Sequence, residues 1–177
     1  MIVSLSSKWS RIEASKTYFV TCVQAMNEHQ SHWRPKLDAW HALDVLQHLV
    51  LVEEGMAKQL HHREAILHKK TVLPKIIGLP AYWLTFRMGM RVKAPVKSVL
   101  PQEVMTLAMC VQRWDAVRDV MKNFLETITS ETEGAIYFYH PITGQRTCEQ
   151  MLDFLYDHLR HHQAQMRRIM HHPKYPA

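Results

Sequence analysis

Apolar residues recur every three or four positions along most of this chain, the spacing that places them on one face of an α-helix. A first run follows Ser10, whose Ser-x-x-Glu sequence to Glu13 matches a capping box, and continues to about Gln30. A second run starts near Asp38, a favourable N-cap residue, and continues to about His68. We therefore predict two long helices in the first part of the chain.

Two further amphipathic segments lie in the second half of the chain. One opens with Pro101, a residue type favoured in the first turn of a helix, and continues through Val104 to Leu125. The other opens with a second capping-box sequence at Thr147 and ends near Met170, because a proline follows soon after. Four long helices in one domain, residues 1–177, predict an all-α fold, a four-helix bundle.

Prolines and glycines interrupt the helical pattern in two places. Over residues 71–100 they predict a long connection between the second and third helices, with room for a short helix. Residues 137–144, Tyr-Phe-Tyr-His-Pro-Ile-Thr-Gly, predict a loop before the fourth helix.

Composition and charge narrow the class of protein. Only 5 of the 177 residues are Gly, which disfavours an all-β fold, whereas 13 His is a high count. No signal peptide and no run of about 18 apolar residues is seen, so we expect a cytoplasmic protein. The net charge of +6 permits anionic ligands. The basic aromatic segment 83–91 is better explained by packing, and neither nucleic acid nor membrane is expected as a partner.

Three histidines of the fourth helix, His158, His161 and His162, are separated by helical geometry. At about 100° per residue, His162 falls within the apolar stripe, His158 lies at its flank, and His161 points further toward solvent. His158 and His162 are one turn apart, so both imidazoles can bind a single metal ion. The same spacing also suits two buried histidines held by hydrogen bonds. The spacing therefore does not decide between metal binding and a structural role.

A third ligand has to come from a facing helix, because two ligands alone make a weak site. On the second helix, His48 lies at the edge of the apolar arc, so periodicity permits it without requiring it. The chain has no Glu-x-x-His sequence, which disfavours a carboxylate-rich di-iron site and leaves an imidazole site for Zn, Ni, Cu or Fe. The candidates on the second helix are His41, His48, His61, His62 and His68.

Two segments resemble the DinB/YfiT-like family of metalloenzymes. The segment Trp40-His-Ala-Leu-Asp-Val-Leu-Gln-His-Leu-Val-Leu-Val-Glu53 is similar to the family pattern W-S-x-x-E-V-L-x-H-L-x-x-x-E, with His41 and Asp44 in place of its Ser and Glu. The turn His-Pro-x-x-Gly at His140 and the sequence His-Leu-Arg-His-His-Gln-Ala-Gln over 158–165 resemble the end of the family's chain, H-x-x-H-H-x-x-Q. Together these motifs cover about a quarter of the chain, and the helix order agrees over nearly all of it.

The resemblance implies a fold, a metal site and an assembly. It implies a four-helix bundle that forms a homodimer and holds a divalent metal through His48, His158 and His162. Zn or Ni is the expected ion, with Fe, Mn or Cu as alternatives. Three neutral imidazoles leave at least one coordination position open, as in catalytic sites.

The resemblance also implies a chemistry, because relatives include enzymes that use a low-molecular-weight thiol for conjugation or isomerisation. We therefore expect a metal-dependent S-transferase, or a related isomerase or hydrolase, that acts on a small-molecule substrate. Asp44, Asp157 and His140 are candidate catalytic residues, and Gln165 and His161 are candidate pocket residues; a solvated or structural role is the alternative for each. The alternative function is a non-catalytic metal-binding or ligand-binding bundle with a stress-related or sensory role.

Overall fold

The computed structural model describes residues 1–60, 97–102, 104–141 and 144–177. Four long helices dominate this part of the chain, so the predicted all-α bundle is confirmed. The elements in chain order are α1 (Val3–Gln24), α2 (Glu28–Ser31), α3 (Ala42–Leu60), a 3₁₀ helix (Lys97–Val99), α4 (Leu107–Glu126), β1 (Phe138–His140), β2 (Gly144–Arg146) and α5 (Cys148–Met170).

The long helices pack in two closely associated pairs around one apolar core. α1 lies along α5 and α3 lies along α4, while further contacts join α1 to α4 and α3 to α5. Every long helix contributes fully buried side chains, including Phe19, Leu46, Trp114 and Leu155. Burying each such side chain stabilises the fold by about 1.5–3 kcal/mol. The core therefore fixes which faces of α3 and α5 meet inside the bundle.

The first helix begins earlier than the Ser-x-x-Glu sequence predicts. α1 starts at Val3, so Ser10 lies inside the helix, where its hydroxyl donates to the Ser6 carbonyl oxygen at 3.1 Å. The predicted cap at Ser10 is wrong because Leu5 and Trp9 are already buried and extend the apolar stripe toward the N-terminus. α1 also ends before α2 begins, so the predicted single helix is two helices.

The second long helix begins later than predicted. Asp38 is not its N-cap, because α3 starts at Ala42. The first turn is instead closed by reciprocal hydrogen bonds between two residues. The His41 backbone N–H donates to Asp44 Oδ2 at 3.1 Å, and the Asp44 N–H donates to His41 Nδ1 at 3.0 Å. This pattern is that of a capping box, with an imidazole in the place of the usual hydroxyl.

The third long helix also begins later than predicted. Thr106 is the N-cap of α4, and its hydroxyl accepts from the Met109 N–H at 3.2 Å. Pro101 precedes the helix, so its predicted place in the first turn is wrong. Val104, predicted to lie in the apolar stripe, is 92% exposed for the same reason.

The last helix agrees with the sequence at both ends. Thr147 and Gln150 form the predicted capping box, and α5 ends at Met170. The predicted loop before it is wrong in one respect, because β1 and β2 pair there as a short antiparallel hairpin. Gly144 opens β2 with a φ of 79°, a left-handed conformation that glycine adopts without steric cost.

Residues 61–96 lie outside the described part of the chain. The predicted end of the second helix near His68, most of the 71–100 connection and the segment 83–91 fall there. Across the described ranges, no helix is both long and apolar enough to cross a membrane.

Candidate metal centre

Three histidines from two helices meet inside the bundle. The Nε2 atom of His158 lies 3.2 Å from Nε2 of His48 and 3.1 Å from Nε2 of His162. One ligand nitrogen of each ring lies within 4.8 Å of those of the others, a grouping that could hold a metal ion. The three residues are buried, with 4%, 6% and 6% of their surfaces exposed for His48, His158 and His162. The structure thus brings together the three residues that the family resemblance implies as ligands.

The helices place these rings through their apolar neighbours. On α5, Leu155, Leu159 and Met166 are buried on the same side as His158 and His162. On α3, the residues around His48 from Val45 to Val50 are all buried. A helix face held by core packing fixes the direction of its polar side chains as well, so the histidines converge as a consequence of the core.

Hydrogen bonds at the far side of two rings fix their orientation. His48 Nδ1 lies 2.7 Å from the carbonyl oxygen of Val99, and His162 Nδ1 lies 2.8 Å from Gln165 Oε1. Because these oxygens only accept, each Nδ1 carries the ring proton and donates it. The Nε2 atoms of His48 and His162 therefore present lone pairs to the centre of the cluster, the usual arrangement for a metal-binding imidazole.

The donor set fits a divalent metal ion. Two lone pairs face Nε2 of His158, and a neutral imidazole can donate only one hydrogen bond from that atom. At least one of the nitrogen contacts therefore brings two lone pairs together, which is unfavourable unless a cation lies between them. Around a tetrahedral ion with bonds of about 2.0–2.1 Å, ligand nitrogens lie about 3.3 Å apart. The observed 3.1 Å and 3.2 Å are close to this spacing.

Burial keeps the three imidazoles neutral. It lowers the pKa of His48 to about 4, although the hydrogen bond to Val99 acts in the opposite direction. Burial, followed by the neighbouring histidines, lowers the pKa of His158 and of His162 well below the usual value. A neutral ring is the form that binds metals, so the ligands do not have to lose protons at neutral pH.

Aromatic rings cover the cluster on two sides. Trp40 packs against His48 with ring centroids 4.8 Å apart and is nearly parallel to His162 at 6.3 Å. Phe154 is stacked on His158 at 5.6 Å. No sequence pattern gives Trp40 a role of its own, although the tryptophan is part of the motif that resembles the family. Val99 was also missed, because no pattern links it to a histidine 51 positions away.

Gln165 and His161, the candidate pocket residues, occupy different places. Gln165 contacts the site directly through its hydrogen bond to His162. His161 is half-buried, and its ring centroid lies 5.2 Å from that of His162, but it is outside the group of three converging nitrogens. The outward direction predicted for His161 agrees with this position.

The candidate catalytic residues lie outside the group of converging nitrogens. Asp44 is bound to Arg34 Nη2 at 3.1 Å and to the backbone of His41. Asp157 is half-buried on α5. His140 is buried in β1 and packs on Phe154 with centroids 4.4 Å apart, so Phe154 contacts both His140 and His158. Burial, with a smaller effect of Arg146, lowers the pKa of His140 to about 4.

A buried ion pair lies further along α3. Glu53, the last residue of the first matched motif, accepts from Arg118 Nε and, at 2.7 Å, from Nη2. Arg118 Nη1 also donates to Glu13 Oε1 at 2.7 Å, and the guanidinium lies 5.4 Å and 5.5 Å from the ring centroids of Trp9 and Trp114. No sequence pattern predicts this network, because the charges come from three different helices.

Comparison with known proteins gives the family. The family model of the DinB superfamily matches residues 11–166, a range that includes the three converging histidines and most of the bundle. Searches of curated proteins and of solved structures gave no significant match. Since the family model covers most of its length, the chain belongs to the DinB superfamily.

Proposed function

We propose that this protein is a divalent-metal-dependent enzyme whose ion is held by His48, His158 and His162. The observation that carries the proposal is the convergence of three neutral imidazoles, in which Nε2 of His158 lies 3.2 Å and 3.1 Å from the Nε2 atoms of His48 and His162, both oriented as acceptors. Three protein ligands leave room for a further ligand on the ion, which is typical of catalytic sites. Imidazole ligands favour Zn or Ni, with Fe, Mn or Cu as alternatives.

The finer proposal is a thiol-dependent transfer to a small electrophile, with isomerisation or hydrolysis as related reactions. It is supported by the family resemblance and by the ligand set described above. When bound, a divalent ion at such a site makes a coordinated thiol or water more acidic. The substrate would then be a small molecule that can reach the cluster.

The surrounding residues have separate tasks in this proposal. The Val99 carbonyl oxygen and the Gln165 amide oxygen hold the rings of His48 and His162 with Nε2 toward the centre. Trp40 and Phe154 exclude water from two sides, which strengthens electrostatic interactions at the site. His161, half-buried beside His162, is the candidate for direct contact with a substrate.

A turnover assay tests the catalytic proposal. Native protein loaded with Zn or Ni would be assayed with glutathione or cysteine and 1-chloro-2,4-dinitrobenzene, beside His162→Ala and the exposed control His171→Ala. We expect metal-dependent turnover in the native protein and in the control, and loss of turnover in His162→Ala. A native protein that binds metal and shows no turnover across a panel of thiols and electrophiles would support the non-catalytic alternative. Equal turnover in His162→Ala would overturn the site.

The remaining sequence-based expectations stay predictions. They are the homodimer, the cytoplasmic location, and the expectation that nucleic acid and membrane are not partners. Light scattering coupled to size-exclusion chromatography measures the first of these directly.

A further inference from the structure

A cavity of about 390 Å³ lies at the N-terminal end of α3, apart from the three converging histidines. This volume is in the range of sites for small molecules. Part of its wall is apolar, with Leu43 and Met105, and part is polar, with Arg34, Asp44, Gln47 and Gln102. None of the three converging histidines is among the described residues that line the cavity, so the cavity is separate from the histidine cluster.

Gln47 is a buried polar group without a protein partner in the described part of the chain. Only 4% of its surface is exposed, and it lines this cavity. Its side-chain amide forms no hydrogen bond with any described residue, and its polar atoms are open to the cavity instead of being enclosed by protein. The partner of this amide therefore has to come from within the cavity, as water or as a ligand.

Arg34 brings a guanidinium whose hydrogen-bonding capacity is only partly used. Nη1 donates to the Ala39 carbonyl oxygen at 3.0 Å, and Nη2 lies 3.1 Å from Asp44 Oδ2. A guanidinium has five N–H donors, so these contacts hold the side chain in place and leave others for a ligand. The side chain is 41% exposed, so a ligand in the cavity can reach it.

The charges around the cavity favour a ligand with a single negative charge. Arg34 is a permanent cation, and the N-terminal end of α3 adds positive potential. Burial lowers the pKa of His41, so this imidazole is neutral at pH 7. Asp44 lies in the same wall and offsets the formal charge of Arg34, so only the small positive potential of the helix end remains, which disfavours a dianion such as phosphate. A carboxylate also matches the planar fork of an arginine.

We propose that this cavity binds a small molecule that carries one carboxylate, recognised by Arg34, and an amide group, recognised by Gln47. The amide of Gln47 offers both a donor and an acceptor, which an amide group on the ligand can satisfy together. Leu43 and Met105 supply the apolar surface for the rest of the molecule. The proposal does not depend on metal binding or on catalysis at the histidine cluster.

Nuclear magnetic resonance on ¹⁵N-labelled protein tests the proposal with a matched pair of probes. N-acetylglycine carries a carboxylate and an amide, and N-acetylglycinamide replaces the carboxylate with a neutral amide. We expect N-acetylglycine to shift the side-chain amide signals of Gln47, which are identified by their absence in Gln47→Leu. We expect the neutral probe to bind about tenfold more weakly, because it loses the charge-assisted bond to Arg34.

Variants assign the binding to this cavity. Arg34→Gln should remove the preference for the acid, Arg34→Lys should keep part of it, and Gln47→Leu should weaken both probes. The control is Lys16→Gln, since Lys16 forms an ion pair with Asp115 and neither residue lines the cavity. It should bind both probes like the native protein. The absence of shifts at Gln47 at high millimolar concentration, or equal binding of the two probes, would overturn the proposal, and dispersed spectra show that each variant is folded.

Discussion

Two of the buried polar side chains of helix α3, His48 and Glu53, lie less than two turns apart but have very different surroundings. Glu53 meets Arg118, whose guanidinium also reaches Glu13, so each charge there faces an opposite charge. Both oxygens of Glu53 accept a hydrogen bond from the guanidinium. The charges of this cluster are paired by protein atoms alone.

His48 faces the imidazoles of two other histidines. The Nε2 atoms of His48 and His162 both face Nε2 of His158, and hydrogen bonds on the far side of two rings orient their lone pairs inward. Protein atoms alone cannot satisfy this arrangement, whereas a cation can. Burial depth is similar in the two clusters, so the match between donors and acceptors is what separates a structural network from a candidate binding site.

The largest expected effect on stability comes from breaking the ion pair between Glu53 and Arg118. Arg118→Met leaves the carboxylate of Glu53 buried without its partner, and the free energy of unfolding should fall by about 3–5 kcal/mol. Urea unfolding at neutral pH measures it. The control Arg113→Met removes a partly exposed ion pair with Glu54 and should cost at most about 1 kcal/mol in ionic interaction. Equal losses in the two variants would contradict the structural role of the network, as would a double variant Glu53→Leu, Arg118→Met no more stable than Arg118→Met alone.

A buried histidine outside the cluster separates the effect of burial from that of clustering. The pKa of His140 is about 4 in the folded protein and 6.5 ordinarily, so the unfolded chain takes up the proton first as pH falls. Its contribution to stability is complete above about pH 6.5 and is lost between there and pH 4, by roughly 3 kcal/mol. Urea unfolding of metal-free protein at a series of pH values measures this loss. His140→Phe should show a correspondingly shallower decline, and identical slopes in the two proteins would contradict the prediction.

Metal binding should stabilise the protein through the cluster of His48, His158 and His162 alone. Zn or Ni at a hundred times its dissociation constant should raise the free energy of unfolding by about 2.7 kcal/mol. Thermal unfolding with and without metal measures the shift. We expect no shift in His48→Ala. We expect the native shift in His140→Phe, because His140 lies near the cluster through Phe154 but is outside the group of converging nitrogens. A full shift in His48→Ala would place the ion elsewhere.

The smallest expected effects concern the caps of the helices that carry the two clusters. Thr147→Ala removes the N-cap of α5, and Thr106→Ala removes that of α4; each should cost about 1 kcal/mol in urea unfolding. Metal affinity should stay unchanged in both variants, because the caps are far along each helix from the histidines and Arg118. A tenfold loss of metal affinity in Thr147→Ala would show that the end of α5 controls the position of the rings.

The parts of the structure that follow from local chemistry were predictable from the sequence. Thr147 and Gln150 cap α5 as expected, and helical phase placed His158 and His162 on its buried side. The Ser-x-x-Glu sequence at Ser10 misled because the same spacing also occurs on the exposed side of a helix interior. A cap motif is informative only where the apolar stripe stops, and here the stripe extends back to Leu5.

The parts that depend on distant contacts were not predictable from local patterns. Periodicity left His48 open among five histidines, and only the family resemblance implied it. The Val99 carbonyl oxygen that orients His48 belongs to a short 3₁₀ helix, and Arg118 reaches Glu53 from another helix. Such pairings depend on how the helices pack, which the spacing of residues within one helix does not record.

The most direct measurement is the metal content of protein purified without a histidine tag, determined by inductively coupled plasma mass spectrometry. We predict one divalent ion per chain in the native protein and in the exposed control His171→Ala. We predict a loss of metal in His48→Ala, His158→Ala and His162→Ala, with circular dichroism showing that each variant keeps its helices. Full metal content in the triple variant would contradict the assignment of the three histidines as the metal site.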